Sequence, residues 1–201
     1  MTDCFALFNE PRRPWLEPDA LKQKFFALSA NLHPDKIHSA SDADKNAAAK
    51  KFAELNAAYN CLAEPKSRLL HLLELESGAK PKEIQQIPNA LADLFADVAS
   101  VCKNADAFLK EMHGNNSPLL RVQSFERAQE WIERLNLLQK KLGDLREDLN
   151  NKLKVLDDGW MKSGAAARKE MLPELEEIYR LFGYFNRWSN QIQERIVQLM
   201  L

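Results

Sequence analysis

Glycine and cysteine are scarce in this chain, 6 and 3 of 201 residues, and neither charge sign is in surplus. Each shortage excludes something. So few glycines, among clustered Ala, Leu, Glu and Lys, point to helices. No stretch alternates apolar and polar residues with β-branched enrichment, so no sheet is expected. The cysteines, Cys4, Cys61 and Cys102, are odd in number and form no Cys-x-x-Cys. That argues against a disulfide framework and a structural zinc site, and fits a reducing cytoplasm. Cys61 and Cys102 read as small apolar fillers on helices. With 28 basic and 29 acidic residues the net charge is −1, so bulk positive charge for nucleic acid is lacking. No run approaches the ~18 apolar residues of a membrane helix. Met1-Thr2-Asp3-Cys4 has neither the basic segment nor the apolar core of a secretory signal. A cytoplasmic protein without membrane or nucleic-acid partners is expected. There is no phosphate-binding glycine loop, nucleophile elbow or metal-spaced cluster, so the chain is expected to be no enzyme and to carry no cofactor or metal.

What is present is helical periodicity. Cys4 to Phe8 reads as a short helix, broken by Glu10-Pro11-Arg12-Arg13-Pro14. Pro18 suits a helix's first turn, where its missing N–H costs nothing. Leu21, Phe25, Leu28 and Leu32 follow at spacings of four, three and four and form one stripe. Pro34 should stop that helix. After a polar loop, Ile37 to Asp42, a helix from Ala43 to Leu62 places Phe52, Leu55, Tyr59 and Leu62 on one face. Two such helices joined by a short loop pack antiparallel, stripe to stripe. Pro65 ends the second and opens a short helix, Lys66 to Glu76; Gly78 and Pro81 mark a linker.

The second half is also helical. Asn89 to Met112 is one candidate. A long helix from Pro118 to about Leu156 carries a stripe running from Leu120 and Phe125 through Leu135 and Leu142 to Leu153, and Asp157-Asp158-Gly159 should interrupt it. A final helix from about Pro173 to Leu199 carries Leu175, Ile178, Phe182, Phe185 and Trp188. The carboxylates of Glu174, Glu176 and Glu177 would then sit at its N-terminus and favour its dipole. Short connections predict an antiparallel three-helix bundle. The fold class is thus all-α, with domains at 1–78 and 89–201 and a linker at 79–88.

The most informative residues are His33-Pro34-Asp35, set between the first two long helices. This arrangement resembles the J-domain, the module that stimulates ATP hydrolysis by DnaK-type chaperones. The likeness narrows with Cys4-Phe5-Ala6-Leu7-Phe8, Trp15-Leu16, Leu28 to Lys36, Leu55-Asn56-Ala57-Ala58-Tyr59-Asn60-Cys61-Leu62, Pro65, Arg68 and Leu72-Leu73-Glu74-Leu75. Together these resemble the opening of HscB-type co-chaperones of iron–sulfur cluster assembly, over roughly residues 3–78. The resemblance implies an N-terminal J-domain, an antiparallel helical hairpin with short flanking helices, followed by the C-terminal bundle. It implies that His33, Pro34 and Asp35 dock on the ATPase of a DnaK- or HscA-type chaperone, with Asp35 engaging a basic group. It also implies that the bundle holds an IscU-type scaffold as client. Lys22, Lys24 and Lys36 are the cations left to support docking, because Ala30 and Asn31 stand where such domains often place lysine or arginine. Charged helix faces are common, however, so Lys22 and Lys24 also read as a solvated face.

Leu91, Leu94, Phe95, Tyr184, Phe185 and Trp188 are candidates for an apolar client patch, against their reading as core. The stretch Asn89 to Val98 lacks the acidic, methionine-containing signature usual in the family's client-binding helix. Tyr179 to Trp188 loosely resembles the family's final helix. His38, His71 and His113 have no partners at metal-ligand spacing and read as structural or solvent-facing. Two alternatives stay open: a J-domain co-chaperone for a different client, and a structural helical interaction module without chaperone activity.

Overall fold

The computed structural model describes residues 2–30, 32, 41–81, 87–113 and 118–200, and of residues 113 and 118–123 the backbone alone. His33, Pro34, Asp35 and Lys36 lie outside the described residues. Helices α1 (Cys4–Leu7), α2 (Pro18–Ser29), α3 (Asp42–Ala63) and α4 (Pro65–Ser77) lead through a 3-10 turn at Asn89–Leu91 to α5 (Ala92–His113), α6 (Pro118–Lys162) and α7 (Ala165–Met200). No strand occurs among the described residues. Nor is any described helix long and apolar enough to cross a membrane.

The early helices begin where local chemistry directs. The Asp3 carboxylate caps α1 by accepting from the N–H groups of Phe5 and Ala6. Pro18 and Pro65 occupy the first positions of α2 and α4. Ser41 accepts from Asp44 N–H at the start of α3, and Glu64 from Ser67 N–H at the start of α4. Gly78, at φ 74°, closes α4 in the left-handed conformation. Helix α2 ends at Ser29 rather than Leu32, since the Leu32 N–H turns back to Ser29 O at 2.9 Å in a tighter turn.

The later boundaries depart further from the expectation. Asp157-Asp158-Gly159 does not interrupt α6, which continues to Lys162. Asp157 is held by partners from the N-terminal segment, and Trp160 is fully buried. Tertiary contacts here outweigh local propensity. Helix α7 starts at Ala165, not Pro173. Three alanines follow Gly164, and Pro173 lies inside the helix. Glu174, Glu176 and Glu177 are therefore helix-interior residues: Glu174 pairs with Lys152 at 2.9 Å and Glu176 with Arg180 one turn on. Phe125, expected on the buried stripe, is exposed.

The chain packs as two compact units, one of residues 1–82 with 150–180, the other of 83–149 with 181–201. In the first, α3 packs against α1, α2 and α4. Phe25 of α2 stacks on Tyr59 of α3 at 4.6 Å and lies 6.5 Å from Phe52. Phe5, Phe8, Leu62, Leu69 and Leu72 are fully buried. The second unit joins α5 to α6 and α7. Val98, Ala105 and Phe108 of α5 are buried, as are Ile132, Leu135 and Leu142 of α6 and Phe185, Ile192 and Ile196 of α7. Arg195 pairs with Asp106 at 2.7 Å and Arg127 with Glu111 at 2.7 Å.

Candidate functional site

Two regions carry the residues that the sequence singled out. The first is α2 and the segment before it. Lys22 is exposed, and among the described residues no ion pair to it is seen. Lys24 is already engaged. Its Nζ lies 2.5 Å from Glu10 Oε1 and donates to Asn9 O at 3.1 Å, so it ties α2 to the turn after α1. Asn9 itself adopts φ 48°, a conformation asparagine tolerates better than most residues. Phe26, one turn beyond Lys22, is 58% exposed. Phe26 lies off the stripe of Leu21, Phe25 and Leu28, so it faces out while Phe25 packs on Tyr59. A basic residue and an exposed ring on one helix face offer a partner both charge and apolar area.

What holds α2 and α3 in place is a set of anchors remote in sequence. Arg68 of α4 is buried, yet it donates from Nε to Pro14 O at 2.9 Å and from Nη1 to Leu62 O at 2.6 Å. Burial brings its pKa down to about 10, although the negative charges of Glu64 and Asp157 oppose the drop. The Leu62 carbonyl is one that the end of α3 leaves without a helical donor, so Arg68 closes α3 and the 11–17 segment together. That segment also meets the tip of α6. Asp157 accepts from Arg13 Nε at 3.0 Å and from Trp15 N–H at 3.1 Å, and Arg13 Nη2 reaches the same carboxylate. The bond to Asp157 raises the Arg13 pKa, against the effect of burial. Trp160 Nε1 donates to Arg12 O at 2.8 Å, and Lys154 lies over the Trp15 ring at 4.8 Å. The pairs with α6 leave no trace in local sequence pattern, since more than 130 residues separate the partners.

The second region is in α5 and α7. Of the six proposed client-patch residues, Leu91, Leu94, Tyr184, Phe185 and Trp188 are buried and only Phe95, at 43%, is exposed. Five of the six candidates for an exposed patch are therefore core residues, and Phe95 alone offers open apolar area. Trp188 is a hub, with ring centroids of Phe95, Tyr184 and Phe185 at 6.1, 5.8 and 6.2 Å. Offset aromatic contacts at such distances are worth about 0.5–1.5 kcal/mol beyond burial, so the cluster first of all holds α5 to α7.

A third grouping was not foreseen. Cys4, Cys61 and His71 come from α1, α3 and α4, and their ligand atoms lie within 4.8 Å of one another. Nε2 of His71 accepts from Cys4 N–H at 3.0 Å and its ring stacks on Phe5 at 5.8 Å, so the partners that spacing in the sequence does not show come from α1 and α3. Burial lowers its pKa, so the ring is held neutral. Burial pushes the Cys61 thiol up to about 12, with the Cys4 charge acting in the same direction.

Comparison with known proteins follows the same lines. The DnaJ domain family matches residues 14–71, the stretch that holds α2, α3 and most of α4. A co-chaperone protein HscB homolog of Chromobacterium violaceum is 37% identical over 81 residues, 40% of this chain and 46% of that protein. One from Paraburkholderia phymatum is 38% identical over 110 residues, 51% of this chain and 63% of that protein. The chain carries a DnaJ domain over residues 14–71 and is similar to co-chaperone HscB homologs. Its matched stretch thus spans about half of the first relative and less than two thirds of the second. The fold reaches further than the sequence likeness. Chaperone HscB from Vibrio cholerae superposes with a TM-score of 0.64 at 19% identity, covering 98% of this chain and 99% of that one. Human co-chaperone protein HscB superposes at 0.55 and 20% identity, over 96% and 81%. In the sequence His33-Pro34-Asp35 follows α2, which carries Lys22 and Phe26, and precedes α3.

Proposed function

We propose that this chain is a co-chaperone that stimulates the ATPase of a DnaK- or HscA-type chaperone and brings it an IscU-type iron–sulfur scaffold protein as client, in the cytoplasm. The observation that carries this reading is the J-domain at 14–71 with His33-Pro34-Asp35 between its two long helices, followed by helices in the HscB arrangement. In this reading His33, Pro34, Asp35 and Lys36 contact the chaperone, and Asp35 engages a basic group there. Lys22 and Phe26 extend the contact along α2, whereas Lys24 acts mainly through its bond to Glu10. The protein hydrolyses nothing itself. It shifts the chaperone between nucleotide states by binding one of them better, and raises the effective concentration of client beside it. The C-terminal bundle carries the client, with Phe95 at the contact surface and Leu91, Leu94, Tyr184, Phe185 and Trp188 supporting it from behind.

The test is steady-state ATP turnover by the chaperone with wild type or Asp35→Asn. Asp35→Asn is expected to abolish stimulation while changing stability by no more than ~0.5 kcal/mol, the usual range for a surface substitution. Stimulation equal to wild type overturns the reading and leaves a helical interaction module. A second reading keeps the J-domain and changes the client. It is favoured by Asn89 to Val98, which lacks the acidic, methionine-containing pattern. Titration of the full chain with IscU-type scaffold separates the two.

A further inference from the structure

The cluster of Cys4, Cys61 and His71 has no part in that function. Three helices in mutual contact bring the two sulfurs and an imidazole nitrogen to within 4.8 Å of each other. A tetrahedral zinc ion, with bonds of about 2.3 Å to sulfur and 2.0–2.1 Å to nitrogen, would hold such atoms roughly 3.5–3.8 Å apart. The present cluster is therefore at most about 1 Å from closing on an ion. It is also accessible: Cys61 and His71 line a surface groove of about 360 Å³ together with Asn60, Ser67 and Glu74. Glu74 is one turn beyond His71 on α4. Its Oε1 is buried with no hydrogen-bond partner, and the Lys80 ammonium is 3.7 Å away. That oxygen makes no hydrogen bond and is neutralised by the exposed Lys80 ammonium, so it is a carboxylate oxygen with a lone pair to spare beside the donor set.

We propose that Cys4, Cys61 and His71 form a binding site for a thiophilic d10 cation, Zn²⁺, with Glu74 or water in the fourth position. Two thiolates and an imidazole match the soft and borderline donors such an ion selects. Each cysteine binds as thiolate, so two protons pass to solvent as the ion enters, and nothing is oxidised or reduced. The imidazole Nε2 now accepts the Cys4 N–H, and the ion must take that lone pair. Metal entry therefore breaks the 3.0 Å bond between Cys4 N and His71 Nε2 and frees the first amide of α1. This signature distinguishes the site from adventitious binding at surface carboxylates.

The experiment uses the full chain, reduced and stripped of metal, titrated with Co²⁺ as a spectroscopic probe and then with Zn²⁺. One equivalent of Co²⁺ is expected to give thiolate-to-cobalt charge-transfer absorption with tetrahedral ligand-field bands, and Zn²⁺ to bleach both. Cys4→Ser and Cys61→Ser should each weaken Zn²⁺ binding by at least about tenfold and lower the charge-transfer intensity. Cys102→Ser, whose sulfur is in the other unit, should change neither. In wild-type protein, needing no variant to fold, Zn²⁺ should protect Cys4 and Cys61 from alkylation but not Cys102, and should shift the Cys4 amide resonance. Absence of charge-transfer absorption, its persistence in both serine variants, equal alkylation of all three cysteines, or a Cys4–Cys61 disulfide re-forming in place of metal uptake would each overturn the proposal.

Discussion

Removing the Asp157 carboxylate should unfasten the N-terminal segment from the tip of α6. Asp157 is 3% exposed and accepts from both Arg13 and Trp15 N–H. In Asp157→Ala the Trp15 amide loses its acceptor, which costs about 1–3 kcal/mol if the group stays buried. Arg13 loses its counter-charge as well. Breaking a fully buried pair costs roughly 3–5 kcal/mol, but the Arg13 side chain is 30% exposed and can turn partly to water. The combined loss should be about 2–4 kcal/mol. Asp157→Asn keeps an oxygen for Trp15 N–H and loses only the charge, so it should cost about half as much. Urea unfolding followed by far-ultraviolet circular dichroism gives both numbers, provided the slope with denaturant is unchanged. A double-mutant cycle with Arg13→Ala should return a coupling of about 1 kcal/mol or more. A loss under ~0.5 kcal/mol for Asp157→Ala, or equal losses for Ala and Asn, would refute the account of this anchor.

Pro173 lacks the N–H that would bond one turn back, at a cost of about 3 kcal/mol in a helix interior; Pro173→Ala should therefore raise stability by about 1–3 kcal/mol in the same assay, and a fall would mean that its ring is needed for packing. Lys22→Glu should slow association with the chaperone more than it speeds dissociation, and affinity should fall as salt rises, because exposed charges are screened over about 10 Å at ~0.1 M; stopped-flow binding at two salt concentrations checks both. Lys24→Glu should instead act chiefly on stability, through loss of its contact with Glu10. Phe95→Ala should weaken scaffold binding by roughly 2 kcal/mol if Phe95 is an aromatic anchor, beside a stability loss of about 0.5–1.5 kcal/mol from the lost contact with Trp188; unchanged affinity by calorimetry would remove Phe95 from the interface.

Helix existence was legible in the sequence where a stripe coincided with a cap. The burial of Leu21, Leu55 and Leu62 follows from their spacing, and α3 and α4 begin within a residue of where Asp42 and Pro65 place them. The reading failed where partners lie far along the chain. Asp157-Asp158-Gly159 is a helix breaker by composition alone, and only Arg13, Trp15 and Arg12 from the other end of the sequence explain why α6 continues. Pro173 marks a helix start by propensity, but three alanines upstream nucleate α7 earlier. His33-Pro34-Asp35 stands out in the sequence because it is contiguous. The burial of Leu91, Leu94, Tyr184, Phe185 and Trp188 could not be read there, because periodicity does not distinguish a partner's surface from a neighbouring helix. The grouping of Cys4, Cys61 and His71 left no signal at all, since three helices have to pack before it exists.

The first compact unit is discontinuous in sequence: residues 150–180 complete what residues 1–82 begin, and 83–149 intervene. On a ribosome this becomes a matter of timing. Synthesis at about 5–20 residues per second leaves the early helices waiting on the order of 4–15 s for α6 to supply Asp157 and Trp160. During that interval Arg13 has no counter-charge from Asp157, and the surface that Trp160 later covers is bare. The nascent N-terminal segment then presents the kind of exposed apolar surface that a folded chain buries, until α6 arrives to cover it.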